Sequence, residues 1–192
     1  MDKSLLILGA GGHGRSIAEL AALTGTYSNI AFLDDSWKPD APSVLPIVGR
    51  MDHLKKYQAS FTHAIIGIGN NGVREKLHAD LQAEGLALAT LVHPRAWVSS
   101  SARLGKGSVV FAGVVIGANV QTGEGTIINC NSTVDHDGVI EDFAHLGVGV
   151  QLAGGCHIGK SAFVQAGSHG GFGAFAEAFA VCAPGSTLNS RA

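Results

Sequence analysis

His136 stands between two aspartates, Asp135 and Asp137, in a stretch otherwise made of apolar and small residues. An imidazole beside a carboxylate is a proton acceptor. The acid fixes the ring tautomer and raises the basicity of the remaining nitrogen, which suits removal of a proton from an attacking amine or hydroxyl. A second group of candidates lies near the N-terminus, where Gly9-Ala10-Gly11-Gly12-His13-Gly14 forms a G-x-G-x-x-G run. Glycines let a backbone approach a pyrophosphate, and a helix starting behind them offers free N–H groups and a partial positive charge. Gly11, Gly12 and His13 are the ligand-facing candidates of that loop. Asp34 and Asp35, beginning 20 residues after Gly14, supply carboxylates for a hydroxyl or a base edge. Gly69, Asn70 and Asn71 form a third polar loop.

These groups need elements to hold them. Residues 4–8 read as a short buried strand, and from Arg15 the apolar positions Ile17, Leu20, Ala21 and Leu23 recur at helical spacing until Gly25. A second strand, 30–33, ends in the two aspartates; a third, 63–68, ends in the Gly-Asn loop, and a helix carrying Val73, Leu77 and Leu81 follows. Strand, glycine turn, helix, strand and acid place all three loops on one edge of a parallel sheet, where such sheets bind ligands. Only 91 residues precede a change of pattern at Val92. That is too few for both halves of a dinucleotide domain, so the expectation is a Rossmann-like unit over 1–91 that holds one nucleotide.

From Val92 the period is six. Stepping by six from Val92 to Val164 gives thirteen positions, twelve of them Val, Ile or Leu and the other Thr122. Four residues after each comes a small or β-branched residue, from Ala96 to Ser168. Six residues do not keep one face of a 3.6-residue helix, whereas three hexads make one turn of a triangular parallel β-helix. The domain expected over 92–192 is therefore such a coil, irregular after about 168. There the aliphatic column thins to Gly170, Ala176 and Cys182, and 168–175 reads Ser-His-Gly-Gly-Phe-Gly-Ala-Phe.

The hexads resemble those of the hexapeptide acyltransferases, whose β-helix is left-handed. Together with GAGGHG, Leu33-Asp34-Asp35, Ile68-Gly69-Asn70-Asn71 and the segment 128–137, they resemble the nucleotide-sugar acetyltransferases of bacterial glycan pathways, the bacillosamine branch. That resemblance implies acetyl-CoA as co-substrate and a UDP-linked 4-amino sugar as acceptor. It also implies His136 as general base, Asp137 as its assisting acid and Asn129 as a substrate-positioning residue. His145, Gly154 and Ala166 match positions along the family's acetyl-CoA groove, and the homotrimer of the family places its sites between subunits. His145 lies nine residues from His136, half a coil away, which also calls for a site shared between copies. The alternatives are O-acetylation of a sialic-acid-type sugar and a non-catalytic nucleotide-sugar-binding protein, the latter favoured if the C-terminal irregularity destroys the groove. A nicotinamide oxidoreductase leaves the hexads unexplained.

Composition narrows the remainder. With 27 glycines in 192 residues, 46% hydrophobic and 15% charged residues, the chain is neither a disordered tail nor, lacking a Gly-X-Y period, collagen. A formal charge of −2 without like-charge runs gives no nucleic-acid footprint. The apolar run 5–8 is broken at Gly9, short of a signal-peptide core or membrane span, so a soluble cytoplasmic protein is expected. Cys130, Cys156 and Cys182 include no C-x-x-C pair, and no H-E-x-x-H occurs. Free thiols and no metal are expected.

Overall fold

Leu5, Leu6, Ile7 and Leu8 are all but inaccessible to solvent, as a central parallel strand covered on both faces requires. In this computed structural model, residues 3–36 and 45–191 are described, and the chain divides into two units between Ala89 and Thr90. The first contains β1 (Lys3–Leu8), α1 (Gly12–Leu23), β2 (Tyr27–Leu33), β3 (Ile47–Gly49), α2 (Leu54–Tyr57), β4 (His63–Ile66), α3 (Asn71–Ala83) and β5 (Ala87–Leu88). Its sheet is parallel with order β3-β2-β1-β4-β5. The direction of winding reverses at β1, so the loops after β1 and β4 flank the crevice where such sheets take ligands. α1 begins at Gly12, three residues before the position that apolar spacing suggests, and this puts Gly12, His13 and Gly14 in its first turn. β4 stops at Ile66 rather than running to Ile68, while β3 and α2 are additions to the elements expected.

In the second unit, two-residue strands pair in parallel with strands 18 residues away. Ile127, for example, aligns with Val109 on one side and His145 on the other. Three sheets result. One runs from 91–92 to 181–182, the next from 97–98 to 187–188, and the third from 121–122 to 175–176. Val110, Ile116, Ile128, Val134, Ile140, Leu146, Ile158 and Val164 are fully buried along the axis. The unit is thus a parallel β-helix with the hexad aliphatics as its core.

Two further columns shape its corners. Every sixth residue from Gly107 to Gly185 has φ between 55° and 73°, and these positions are held by eight glycines together with Asn119, Asn131, Asp137, Phe143, Ser161 and Phe179. Asn and Asp tolerate this left-handed conformation better than other side chains, because their short polar groups bond locally. A separate glycine column answers close approach between coils: a Cβ on Gly105 would lie 2.1 Å from the Gly123 carbonyl oxygen, and one on Gly117 2.6 Å from His136 N.

The expected irregularity after about 168 does not occur. Strands at 169–170, 175–176, 181–182 and 187–188 continue the pairing, and the left-handed corners persist at Gly173, Phe179 and Gly185. The thin aliphatic column marks a narrowing core. A Cβ on Gly170 would sit 2.3 Å from the Ala174 Cβ and 3.3 Å from the Leu188 Cβ, so no larger residue fits there. No described helix is long and apolar enough to cross a membrane.

Candidate active site

His136 occupies the corner between strands 133–134 and 139–140, with its side chain 51% exposed. The backbone reaches this corner through Asp137, whose φ of 59° fills the left-handed slot and turns its carboxylate toward the imidazole. His136 Nδ1 and Asp137 Oδ2 are 2.9 Å apart, and the other carboxylate oxygen accepts a hydrogen bond from Asn119 Nδ2 at 3.2 Å. Asp135 accepts from the His136 backbone N–H at 2.8 Å, and its second oxygen stands 3.9 Å from Nε2. The hydrogen bond to Asp137 first, and the charge of Asp135 second, hold the His136 pKa above its ordinary value. Asp137 is correspondingly held below the usual carboxylate range by His136 and Asn119. In the tautomer that donates Nδ1–H to Asp137, Nε2 carries a lone pair able to accept a proton.

Gly154 belongs to the same corner one coil further on. A Cβ there would lie 2.5 Å from both Cε1 and Nε2 of His136, so the ring leans over a glycine and fills the space a side chain would take. His136, Asp137 and Gly154 are thus brought together. Asn129, Ala166 and His145 are not. Asn129 lies at the corner after strand 127–128, where its Oδ1 accepts from the Cys130 N–H at 2.9 Å. Ala166 is on that same corner two coils later, with its backbone beneath Gly147. His145 lies on the outer face of the neighbouring wall, 9% exposed and stacked on Phe163 with ring centroids 4.5 Å apart. Asn119 was not among the residues singled out from sequence. Its signal was the 18-residue coil, which sets position 119 beside 137.

A second histidine–carboxylate pair stands on the third wall. His157 Nε2 is 2.7 Å from Glu141 Oε1, but Oε2 is already bonded to the Lys160 N–H at 2.8 Å, which ties the pair to a corner as a strut. Among the described residues no cluster of three or more His, Cys, Asp or Glu could hold a metal ion.

In the first unit, the candidate loops meet at the carboxyl ends of β1, β2 and β4, and their residues divide by task. A Cβ on Gly14 would lie 1.9 Å from the Gly9 oxygen, and one on Gly67 2.7 Å from the Gly14 Cα, so these glycines allow backbone to pack on backbone. Gly11 has open space on its Cβ side and Gly12 nearly so, the nearest atom being Arg15 Nη2 at 3.9 Å. Asp34 ties the loops together. It accepts from the Ala10 N–H at 2.7 Å and from the Ser36 N–H at 2.8 Å and hydroxyl. Burial works against its charge, but those bonds outweigh burial and keep its pKa low. Asp35 accepts from the Met51 N–H at 3.1 Å and lies 3.8 Å from Arg50. Asn70 caps α3 by accepting from the Val73 N–H at 3.0 Å. Asn71 accepts from Arg74, whose guanidinium also donates to the carbonyls of Gly69 and Ile68 at 3.0 and 3.3 Å. His13 is driven down to about 4 by burial and by the charge of Arg74, so it stays neutral at physiological pH.

Residues 4–81 match the family described as PglD N-terminal domain. The solved structure of PerB from Caulobacter crescentus, in complex with CoA and GDP-perosamine, is similar at 32% identity and a TM-score of 0.90, over 98% of this chain and 91% of that one. The acetyltransferase domain of PglB from Neisseria gonorrhoeae FA1090 is 35% identical with a TM-score of 0.81, over 98% and 97% of the two chains. It has also been solved with acetyl coenzyme A. The UDP-N-acetylbacillosamine N-acetyltransferase of Bacillus subtilis (strain 168) is 34% identical over 112 residues, 57% of this chain. The match spans about half, 52%, of that curated relative.

Proposed function

The chain belongs to the hexapeptide-repeat sugar acetyltransferases that pair a Rossmann-like nucleotide-sugar domain with a left-handed β-helix, and from that membership we propose that it moves an acetyl group from acetyl-CoA to the 4-amino group of a UDP-linked amino-dideoxy sugar. The observation that carries this reading is the His136–Asp137 pair, exposed at a coil corner and overlaid on Gly154. The neutral amine attacks the thioester carbonyl while Nε2 of His136 takes its proton. A C–N bond forms, the C–S bond breaks, and the proton is returned to the departing thiolate. His136 keeps its Nδ1 proton throughout, donated to the Asp137 carboxylate, which stabilises the imidazolium that forms.

Gly11, Gly12 and His13 hold the nucleotide diphosphate, with Asp34, Asp35, Gly69, Asn70 and Asn71 shaping the loops around it. The relatives include one named for a UDP-sugar and one solved with a GDP-sugar. Asn129 and Ala166 lie at another corner than His136, and His145 on another wall, which supports a homotrimer whose sites combine one copy's His136 corner with a neighbour's His145 wall. Because the coil continues to Leu188, the binding-only alternative loses the irregular C-terminus on which it stood.

Purified protein is to be incubated with acetyl-CoA and either a UDP- or a GDP-linked 4-amino sugar, following free thiol and the mass of the sugar nucleotide. Thiol release coupled to an acetylated UDP-sugar is the expected result. Preference for the GDP-sugar would overturn the uridine assignment, and no thiol release with either would overturn the reaction.

A further inference from the structure

The corner that carries His136 continues through Gly154 and Gly155 to Phe172, each step being one 18-residue coil. The register is fixed by backbone hydrogen bonds from the Gly155 N–H to the His136 carbonyl and from the Gly173 N–H to the Gly154 carbonyl, both 2.9 Å. Phe172 is 75% exposed, the most exposed of the large apolar residues among those described. Its ring leans back along the coil axis, since a Cβ on Gly155 would meet Phe172 Cζ at 3.4 Å and Cε2 at 3.5 Å. The imidazole leans the other way, over Gly154. A base and an aromatic ring thus bracket a two-glycine step that carries no side chain, and adjacent strands about 4.8 Å apart put Phe172 about 10 Å from His136 along the corner.

On the opposite side of His136 the corner is polar and filled. Asn119 donates to Asp137, and its own N–H donates to the Ser101 hydroxyl. An apolar arm running from a thioester at His136 meets polar groups on the Asn119 side, whereas the glycine step toward Phe172 presents it with no polar side chain. We propose that Phe172 is a donor-binding residue whose ring packs against the pantetheine arm of the acyl-CoA, with the thioester at His136. The contact rests on the acetyl-CoA reading above, and it sets specificity for the carrier rather than for the sugar. A single exposed phenylalanine is unremarkable on a surface. What singles this one out is its register with the base and the bare floor between them.

The test uses the full chain with Phe172→Ala and Phe172→Leu. Calorimetry with CoA is expected to show about tenfold weaker binding for the alanine variant, and near wild-type binding for leucine, which restores most of the apolar surface. In steady state, KM for acetyl-CoA rises by a similar factor, while kcat and the acceptor KM stay within about twofold, the signature of binding lost equally from ground and transition states. S-acetyl-N-acetylcysteamine lacks the distal arm, so its kcat/KM is expected to be the same in wild type and Phe172→Ala. Unchanged CoA affinity, or a loss confined to the acceptor KM, overturns the contact. If Phe172→Ala weakens CoA binding but no sugar is acetylated by the wild type, the contact stands and the reaction falls; a wild type that binds no CoA overturns both.

Discussion

Gly154→Ala adds one methyl group beside His136 and changes nothing else in the site. The backbone at Gly154 is not in the left-handed region, so alanine is tolerated there without strain. Its Cβ, however, would lie 2.5 Å from Cε1 and Nε2, where ordinary contact begins at 3.4 Å. The ring therefore has to retreat by about 1 Å. Because the ring is exposed it moves at little cost to folding, but the 2.9 Å bond to Asp137 and the aim of Nε2 go with it. Misplacement by about 1 Å costs roughly 100-fold in rate, or about 2.7 kcal/mol of transition-state stabilisation. The measurement is kcat at saturating acetyl-CoA and acceptor, with thermal unfolding in parallel and an NMR titration of the His136 ring. We expect kcat down by about 100-fold, a melting temperature within a few degrees of wild type, and a His136 pKa falling back toward its ordinary value. A variant with wild-type kcat and an unmoved titration would refute the argument that the bare Gly154 corner positions the base.

Other outcomes follow from the same geometry. Asp137 raises the His136 pKa, and the imidazole must be neutral to accept a proton, so kcat/KM rises with pH through that pKa. In Asp137→Asn the rise shifts to lower pH and the plateau drops by about tenfold or more, readable in a pH–rate profile; a limb moving to higher pH would contradict the assignment. Asp34→Ala frees the Ala10 N–H and the Ser36 loop, so nucleotide-sugar KM should rise about tenfold while CoA affinity, by calorimetry, stays unchanged. Coexpressed His136→Ala and His145→Ala chains, each inactive alone, should recover about a quarter of wild-type activity, because only some interfaces pair an intact His136 with a neighbour's intact His145. No recovery would count against sites shared between copies.

The β-helix was legible because its side chains repeat: a column of aliphatics at period six admits no helix, and Val110 to Val164 occupy the axis as the period requires. The corners were less so. The left-handed position is a backbone requirement, met variously by Gly, Asn, Asp, Ser and Phe, and no single residue type announces it. For the same reason Asn119 escaped notice as the partner of Asp137. Gly170 and Ala176 read as a failing repeat, because sequence records the loss of volume but not the neighbouring Ala174 that demands it. β3 and α2, at three and four residues, are too short to show any periodicity. In the first unit the loops that carry the glycines and acids lie at one sheet edge, as the spacing suggested. Spacing could not tell that Asp34, Asn70 and Asn71 spend their polar atoms on backbone N–H groups and on Arg74, while Gly11 and Gly12 keep space on their Cβ side.

The central claim is that His136 takes the proton and does not merely help bind the substrates. Its most direct test is His136→Ala, with turnover measured at saturating substrates and the binding of CoA and of the nucleotide sugar measured separately by calorimetry. The account predicts both affinities within a few-fold of wild type and kcat lower by about 10²- to 10⁴-fold. Retained turnover, or loss of binding large enough to explain the loss of rate, would contradict it.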